Sequence, residues 1–376
     1  MDRSGAACKE GHSGEATNSR TSSASTSAPS DSTPMDDFEW VSFTSPWPVG
    51  WQPLHTFFNQ GDVQRWESGR FRMERVLQSA PRNKGRVDHM FDASTGMHVA
   101  VKHIPNSWVC ESHDVFAARH PRETERPWVD IGCAALLTSL DFPYACPLLG
   151  VYQGRKTTHV VMELAQEGDL FDWAVACPEA PGKAREALVQ PLARQILDAV
   201  RQLHELSIVH RDISAENIVL SRPDGGALQI QLIDFGMSTK KRYMRGGGGH
   251  GKPAYQAPET HWGDAYDGFL SDAFAVGVLL FSILTGENPW VSTEPGRCKA
   301  FEFCKTHGFR AFAARRKCFK QTRTVAECLS EPAMQVLDGL LCSDPVRRLT
   351  LGESGHGRYG DGWARPSVWD QAWVQG

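Results

Sequence analysis

Apolar and polar residues alternate in short runs between residues 71 and 103, and three runs bounded by turn signals, 73–77, 86–91 and 98–103, read as strands. Ser94-Thr95-Gly96 has the composition of a hairpin turn between the last two. The period lengthens further along. A helix is read at 127–140, and from about residue 183 Leu188, Leu192, Ile196, Val200 and Leu203 recur as on one helix face. More helices are expected over 271–284 and 332–341. The pattern predicts an α+β chain in which a strand-rich lobe from residue 71 precedes a mainly helical one from about residue 183. Residues 1–35, rich in Ser, Thr, Ala and Gly, have too little apolar surface to offset ordering entropy and are expected to form a disordered tail. Residues 36–70 carry Trp40, Phe43, Trp47, Trp51, Phe57, Phe58 and Trp66 and read as an irregular extension docked on the body, packing or a partner site. The segment 356–376, with Gly357, Gly360, Gly362, Trp363, Trp369 and Trp373, is too short for a domain and is expected to fold back on the surface.

Composition narrows the function classes. A formal charge of −4 gives no general attraction to nucleic acid or to anionic membrane, so neither is expected as a partner. The ten cysteines show no paired C-x-x-C spacing, which favours reduced thiols and a cytoplasmic or nuclear setting. The longest apolar run, near 275–284, is about half of the roughly 20 residues a membrane-spanning helix needs.

Four motifs carry the chemistry, in this order: Val99-Ala100-Val101-Lys102, then His210-Arg211-Asp212-Ile213-Ser214-Ala215-Glu216-Asn217, then Asp234-Phe235-Gly236, then Ala257-Pro258-Glu259. Order and spacing together resemble the eukaryotic protein kinase family, of Ser/Thr type, over roughly residues 71–355. The resemblance implies a bilobal fold, with lobes at 71–162 and 166–355 and a small antiparallel sheet in the first, ATP and Mg2+ as cofactors, and protein hydroxyls as substrates. Phosphoryl transfer needs charge neutralisation and in-line positioning more than covalent help. Asp212 is then the base, Asn217 and Asp234 the magnesium ligands, and Lys102 the grip on the α- and β-phosphates. The nucleotide site is expected to involve Gly85, Val87, Ala100, the gatekeeper Met162, backbone groups of Glu163 and Ala165, and Asp169 at the ribose or at a basic substrate residue. Asp272 fits the helix acid that braces the catalytic loop, and Arg348 the partner of Glu259.

The sequence departs from the family pattern at several points. The glycine loop G-x-G-x-x-G reads Ala80, Arg82 and Gly85 at its three glycine positions, and Arg82 and Lys84 are expected to replace missing backbone contacts with charge, or to form a solvent-facing basic turn. The partner of Lys102 is expected to be Asp130, although alignment without gaps places Cys133, which lacks a carboxylate, at the usual glutamate position. Ser214 stands where lysine is usual and Lys252 where threonine is usual, similar to a swap in divergent protist kinases, and Lys252 is expected to bring its ammonium to the transferring phosphate. After Ser238 and Thr239 the segment 234–259 offers only Tyr243 and Tyr255 as hydroxyls around the Gly246 to Gly249 run, so activity without loop phosphorylation is expected. Residues 290–332 add Arg310, Arg315, Arg316, Lys317, Lys320 and Arg323 among phenylalanines, a docking surface or a solvated amphipathic helix. Rival readings are a pseudokinase acting as a nucleotide-binding scaffold and a small-molecule kinase. The oligomeric state is not legible.

Overall fold

A computed structural model describes residues 52–80, 85–247, 249–356 and 365–376. The tail expected at 1–35, Trp40, Phe43, Trp47 and Trp51 of the extension, Arg82 and Lys84, and Gly357, Gly360, Gly362 and Trp363 lie outside the described residues.

The first lobe is a six-stranded sheet of β1 (Gln64–Arg65), β2 (Phe71–Ala80), β3 (Gly85–Asp92), β4 (Met97–Pro105), β5 (Leu148–Gln153) and β6 (Thr157–Glu163). Its order is β1-β5-β6-β4-β3-β2. The pairs are antiparallel except β1 with β5, which is parallel, so the expected antiparallel sheet is mixed at one edge. That edge strand comes from the extension before residue 71. The Ser94-Thr95-Gly96 turn is held by Asp92, whose Oδ1 accepts from the Ser94 amide at 3.0 Å, and by Gly96 at φ +71°. Two short helices, α1 (Asn106–Val109) and α2 (His113–Arg119), which the periodicity did not announce, precede α3 (Pro127–Ser139). Pro127 opens α3, where its fixed φ suits a first turn and its missing N–H is no loss. Trp128 and Ile131 of α3 pack with Ile104, Val151 and Val160 of the sheet, fixing the helix on its back face.

The second lobe starts with α4 (Leu170–Ala176) and α5 (Lys183–Glu205), then the hairpin β7 (Ile218–Ser221) and β8 (Gln229–Leu232) and the short pair β9 (Tyr243–Arg245) and β10 (Ala265–Asp267). It continues with α6 (Gly268–Thr285), α7 (Lys299–His307), α8 (Phe309–Ala313), α9 (Val325–Cys328), α10 (Glu331–Leu340) and α11 (Ala372–Gln375). On α5, Leu192, Ile196, Val200 and Leu203 are buried as expected, but Leu188 is 45% exposed and Val189 takes the core position. A strict four-residue repeat drifts about 40° per step around a 3.6-residue helix, which carries Leu188 off the face. α6 is apolar enough and long enough to cross a membrane by composition, yet its surface is spent on the lobe's own core, with Phe274, Val278 and Phe281 fully buried. Val374 and Trp373 of α11 are buried, and Gln190 of α5 donates to the Trp373 carbonyl at 2.6 Å, so α11 packs against α5.

A buried polar chain crosses this lobe. His204 at the end of α5 lies 3.1 Å from Asp272 Oδ2 and 2.6 Å from Glu353 Oε1, and His356 lies 3.0 Å from Glu353 and 3.2 Å from Asp267. Burial disfavours charge on His204, but hydrogen bonds to the Asp272 and Glu353 carboxylates outweigh it and raise its pKa from 6.5 to about 9. A group raised on folding stabilises the folded state fully below its unfolded pKa, and that contribution is lost as pH rises through the folded value. The melting temperature is therefore expected to fall between pH 6.5 and about 9. In thermal melts His204→Gln should melt lower at the acid end with a flatter profile. A wild-type melting temperature constant over that window would refute the assignment.

Candidate active site

Lys102 sits on β4 between Val87 of β3 and Val160 of β6. Its Nζ lies 2.8 Å from Asp130 Oδ2 on α3 and 3.3 Å from Asp234 Oδ1. Burial works against the charge on Lys102, but the Asp130 and Asp234 carboxylates outweigh it and hold the ammonium above the usual lysine range. Burial also opposes charge on Asp234, and the same ammonium holds that carboxyl below its ordinary range. Asp130 Oδ1 accepts from the Phe235 amide at 2.9 Å, and the Arg126 amide donates to the Gly236 carbonyl at 2.9 Å. One helix thus fastens both the β4 lysine and the Asp234-Phe235-Gly236 turn. Of the two alternatives for the partner of Lys102, Asp130 makes the contact. Cys133 is fully buried in the apolar core, and burial pushes its thiol pKa up.

The loop 210–217 faces this group. Arg211 (φ 66°) and Asp234 (φ 63°) both adopt left-handed backbone conformations, each of which costs a non-glycine residue about 1–3 kcal/mol. Asp272, 1% exposed on α6, compensates by accepting from the amides of His210 at 2.7 Å and Arg211 at 2.9 Å. Asn217 Nδ2 donates to the Asp212 carbonyl at 2.8 Å and to Asp212 Oδ2 at 3.0 Å, so the amide oxygen is its remaining ligand atom. That oxygen and the Asp234 carboxylate are hard oxygen donors of the kind magnesium prefers, so these residues fit the ion. Burial and the neighbouring Asp234 charge raise the Asp212 carboxyl above its usual range, while His210, Lys252 and the Asn217 hydrogen bond oppose the shift.

On the sheet, Lys102 pairs with Val87 and Ala100 with Met162, so Gly85, Val87, Ala100, Lys102 and Met162 share one face, while Glu163, paired with Val99, turns its side chain to the other face and Ala165 lies just past the end of β6. Asp169 Oδ1 accepts from the Asp172 amide at 2.7 Å and caps α4. Burial raises its pKa.

This arrangement can be set beside known proteins. A family model described as "Protein kinase domain" matches residues 83–359. The chain belongs to the protein kinase domain family. CBL-interacting serine/threonine-protein kinase 17 of Arabidopsis thaliana is 27% identical over 287 residues, 75% of this chain and 58% of that protein. CBL-interacting protein kinase 1 of Oryza sativa subsp. japonica is 26% identical over 75% of this chain and 54% of its own length. CBL-interacting serine/threonine-protein kinase 1 of Arabidopsis thaliana is 30% identical over 226 residues, 59% of this chain and 46% of that protein. The chain spans about half the length of the curated relatives it matches.

Within this kinase domain the exchanged residues meet. Lys252 Nζ lies 3.2 Å from Ser214 Oγ and 2.6 Å from Glu216 Oε2. Glu216 is therefore occupied by an ammonium, and Asp169, expected at the ribose or at a basic substrate residue, by a helix cap. Two positions beside the candidate site escaped the sequence reading. Gly251 (φ +74°) would place a Cβ 2.8 Å from Asp212 Oδ1, so only glycine fits there; its neighbour Lys252 was the available signal. His250 Nε2 lies 3.1 Å from Arg211 Nη1, while Arg211 Nε donates to the Met237 carbonyl. Its place in a segment poor in hydroxyls was the only hint. Arg348 and Glu259 form a buried pair with Nη2 and Oε2 2.8 Å apart. The basic stretch expected as a docking surface is partly self-paired: Arg310 with Glu331 and Asp338, Arg316 with Glu287, and Arg315 over the Phe303 ring.

Proposed function

We propose that the chain is an ATP-dependent protein serine/threonine kinase, transferring the γ-phosphate of ATP to hydroxyls of protein substrates. The observation that carries this reading is the convergence of Lys102, Asp130 and Asp234 with Asp212 and Asn217 from four separate stretches of chain. Lys102, held charged by its two carboxylates, would bind the α- and β-phosphates. Asp212 would orient the substrate hydroxyl and take its proton, a role suited to a carboxyl raised by burial yet close to cations. Asn217 and Asp234 would hold magnesium, which supplies neutralisation of phosphate charge. The adenine would lie against Val87, Ala100 and Met162, with backbone groups of Glu163 and Ala165 as its polar partners and Asp169 near the ribose. The names of the relatives, serine/threonine-protein kinases, support the choice of hydroxyl.

Lys252 is assigned the cationic role beside Asp212 that Ser214 lacks, with Glu216 fixing the direction of its ammonium. The Arg211 to His250 contact supports an activation segment that is held without a phosphate, since a neutral imidazole accepts from the guanidinium there.

Three measurements test this reading. Labelled γ-phosphate should pass from magnesium ATP to Ser or Thr of generic protein substrates, and Asp212→Asn should lower transfer by at least about 100-fold; ATP binding without transfer in the wild type would make the chain a pseudokinase scaffold. In steady-state kinetics Lys252→Met should lower kcat by about 10- to 100-fold with a smaller change in KM for ATP, and undiminished turnover would remove Lys252 from the mechanism. Treatment with a broad-specificity phosphatase should leave activity unchanged, and inactivation would contradict a phosphate-independent segment.

A further inference from the structure

The helix that carries Asp130 is gripped from outside the matched kinase segment. The 3-10 turn Leu54–Phe57 precedes residues 83–359 and lies against α3, α2 and the segment that follows Asp234. Leu54 is 3% exposed and belongs to the same apolar cluster as Val129, Cys133 and Leu136 of α3. The contact is backbone on backbone: a Cβ on Gly132, in the middle of α3, would fall 2.1 Å from the Leu54 carbonyl oxygen and 2.9 Å from His55 Cα. Glycine weakens a helix interior, so its presence there answers to the crossing chain rather than to α3 itself. His55 stacks on His113 of α2, ring centroids 3.7 Å apart and 2° from parallel. The Lys240 ammonium, on a side chain 9% exposed, sits 5.4 Å from the centroid of the Phe57 ring. Lys240 is six residues beyond Asp234 in the chain.

We propose that residues 54–57 form a built-in clamp that sets the position of α3, and through α3 the Lys102 to Asp130 contact, so that the kinase domain reaches its competent arrangement without a separate activating subunit. This rests on the kinase reading above. The clamp touches the three parts that must agree for that contact to form. Gly132 and its neighbours fix α3 lengthwise, His55 ties α2 to the clamp, and Phe57 accepts a desolvated cation from the activation segment. A cation over an aromatic face holds best when water is excluded, and burial lowers the Lys240 pKa from its ordinary value, in keeping with that exclusion. Leu54, His55 and Phe57 are positioning residues: they act on Asp130 through α3.

The test compares full-length wild type with Phe57→Ala, Phe57→Tyr and Gly132→Ala, reading kcat and KM for ATP together with hydrogen exchange of the α3 amides. Phe57→Ala is expected to lower kcat roughly tenfold, the scale of a lost desolvated cation–π contact, with KM for ATP changed less and exchange accelerated in α3 beyond the rest of the fold. Phe57→Tyr keeps the ring face and should restore most of the activity. Gly132→Ala forces the clamp off by sterics and should reproduce the Phe57→Ala pattern. An active wild type whose variants keep both kcat and α3 protection overturns the clamp and leaves the kinase reading standing. Acceleration spread evenly over the molecule also overturns it, because that is general destabilisation. If the wild type transfers no phosphate, the kinase reading fails and the exchange data alone decide: loss of protection confined to α3 supports the clamp, and unchanged protection overturns it.

Discussion

The ammonium of Lys102 joins the site's separate parts. A lysine taken out of water is costly unless carboxylates surround it. Here one comes from α3 and the other from the Asp234-Phe235-Gly236 turn, at 2.8 and 3.3 Å. Satisfying that one charge obliges the sheet, the helix and the turn to adopt a single mutual arrangement. Asp130 adds a second constraint through the Phe235 amide, so a helix displacement breaks an ion pair and a backbone hydrogen bond at once.

A second buried acid plays the matching part in the helical lobe. Asp272 spends its two oxygens on the His210 and Arg211 amides and one of them also on His204, holding a loop whose Arg211 backbone is strained. The chain His204, Glu353, His356, Asp267 and Arg242 then carries the same polar interior out to β10 and to the segment after Asp234. The strain at Arg211 is thus offset by hydrogen bonds to a largely buried, apolar helix, α6.

Two of the substitutions that set this chain apart from the family pattern, Ser214 and Lys252, meet in space. With serine at 214 and lysine at 252, one ammonium still lies against the loop that carries Asp212, and Glu216 holds it at 2.6 Å. Gly251 permits this because any side chain there would collide with Asp212. Arg211 likewise finds neutral acceptors in Met237 and His250 within the segment itself.

The order of periodicities made the two lobes legible, because strand and helix patterns are local and a lobe's core needs one consistent apolar face. The motifs made Lys102, Asp212, Asn217 and Asp234 stand out as candidates for a related reason: phosphoryl transfer admits few residue types at few spacings. Leu188 failed because a fixed four-residue step leaves the face of a 3.6-residue helix. The parallel edge strand β1 escaped because two residues carry no period. Sequence alone determined the family and singled out the candidate residues Lys102, Asp212, Asn217 and Asp234. Only the tertiary structure decided between Asp130 and Cys133 and brought Lys252 onto Glu216. It alone set His250 against Arg211 and Leu54 across Gly132. These are contacts between segments distant in the chain or on opposite sides of a loop, and their partners are chosen by burial and by the satisfaction of charge, neither of which leaves a local signature.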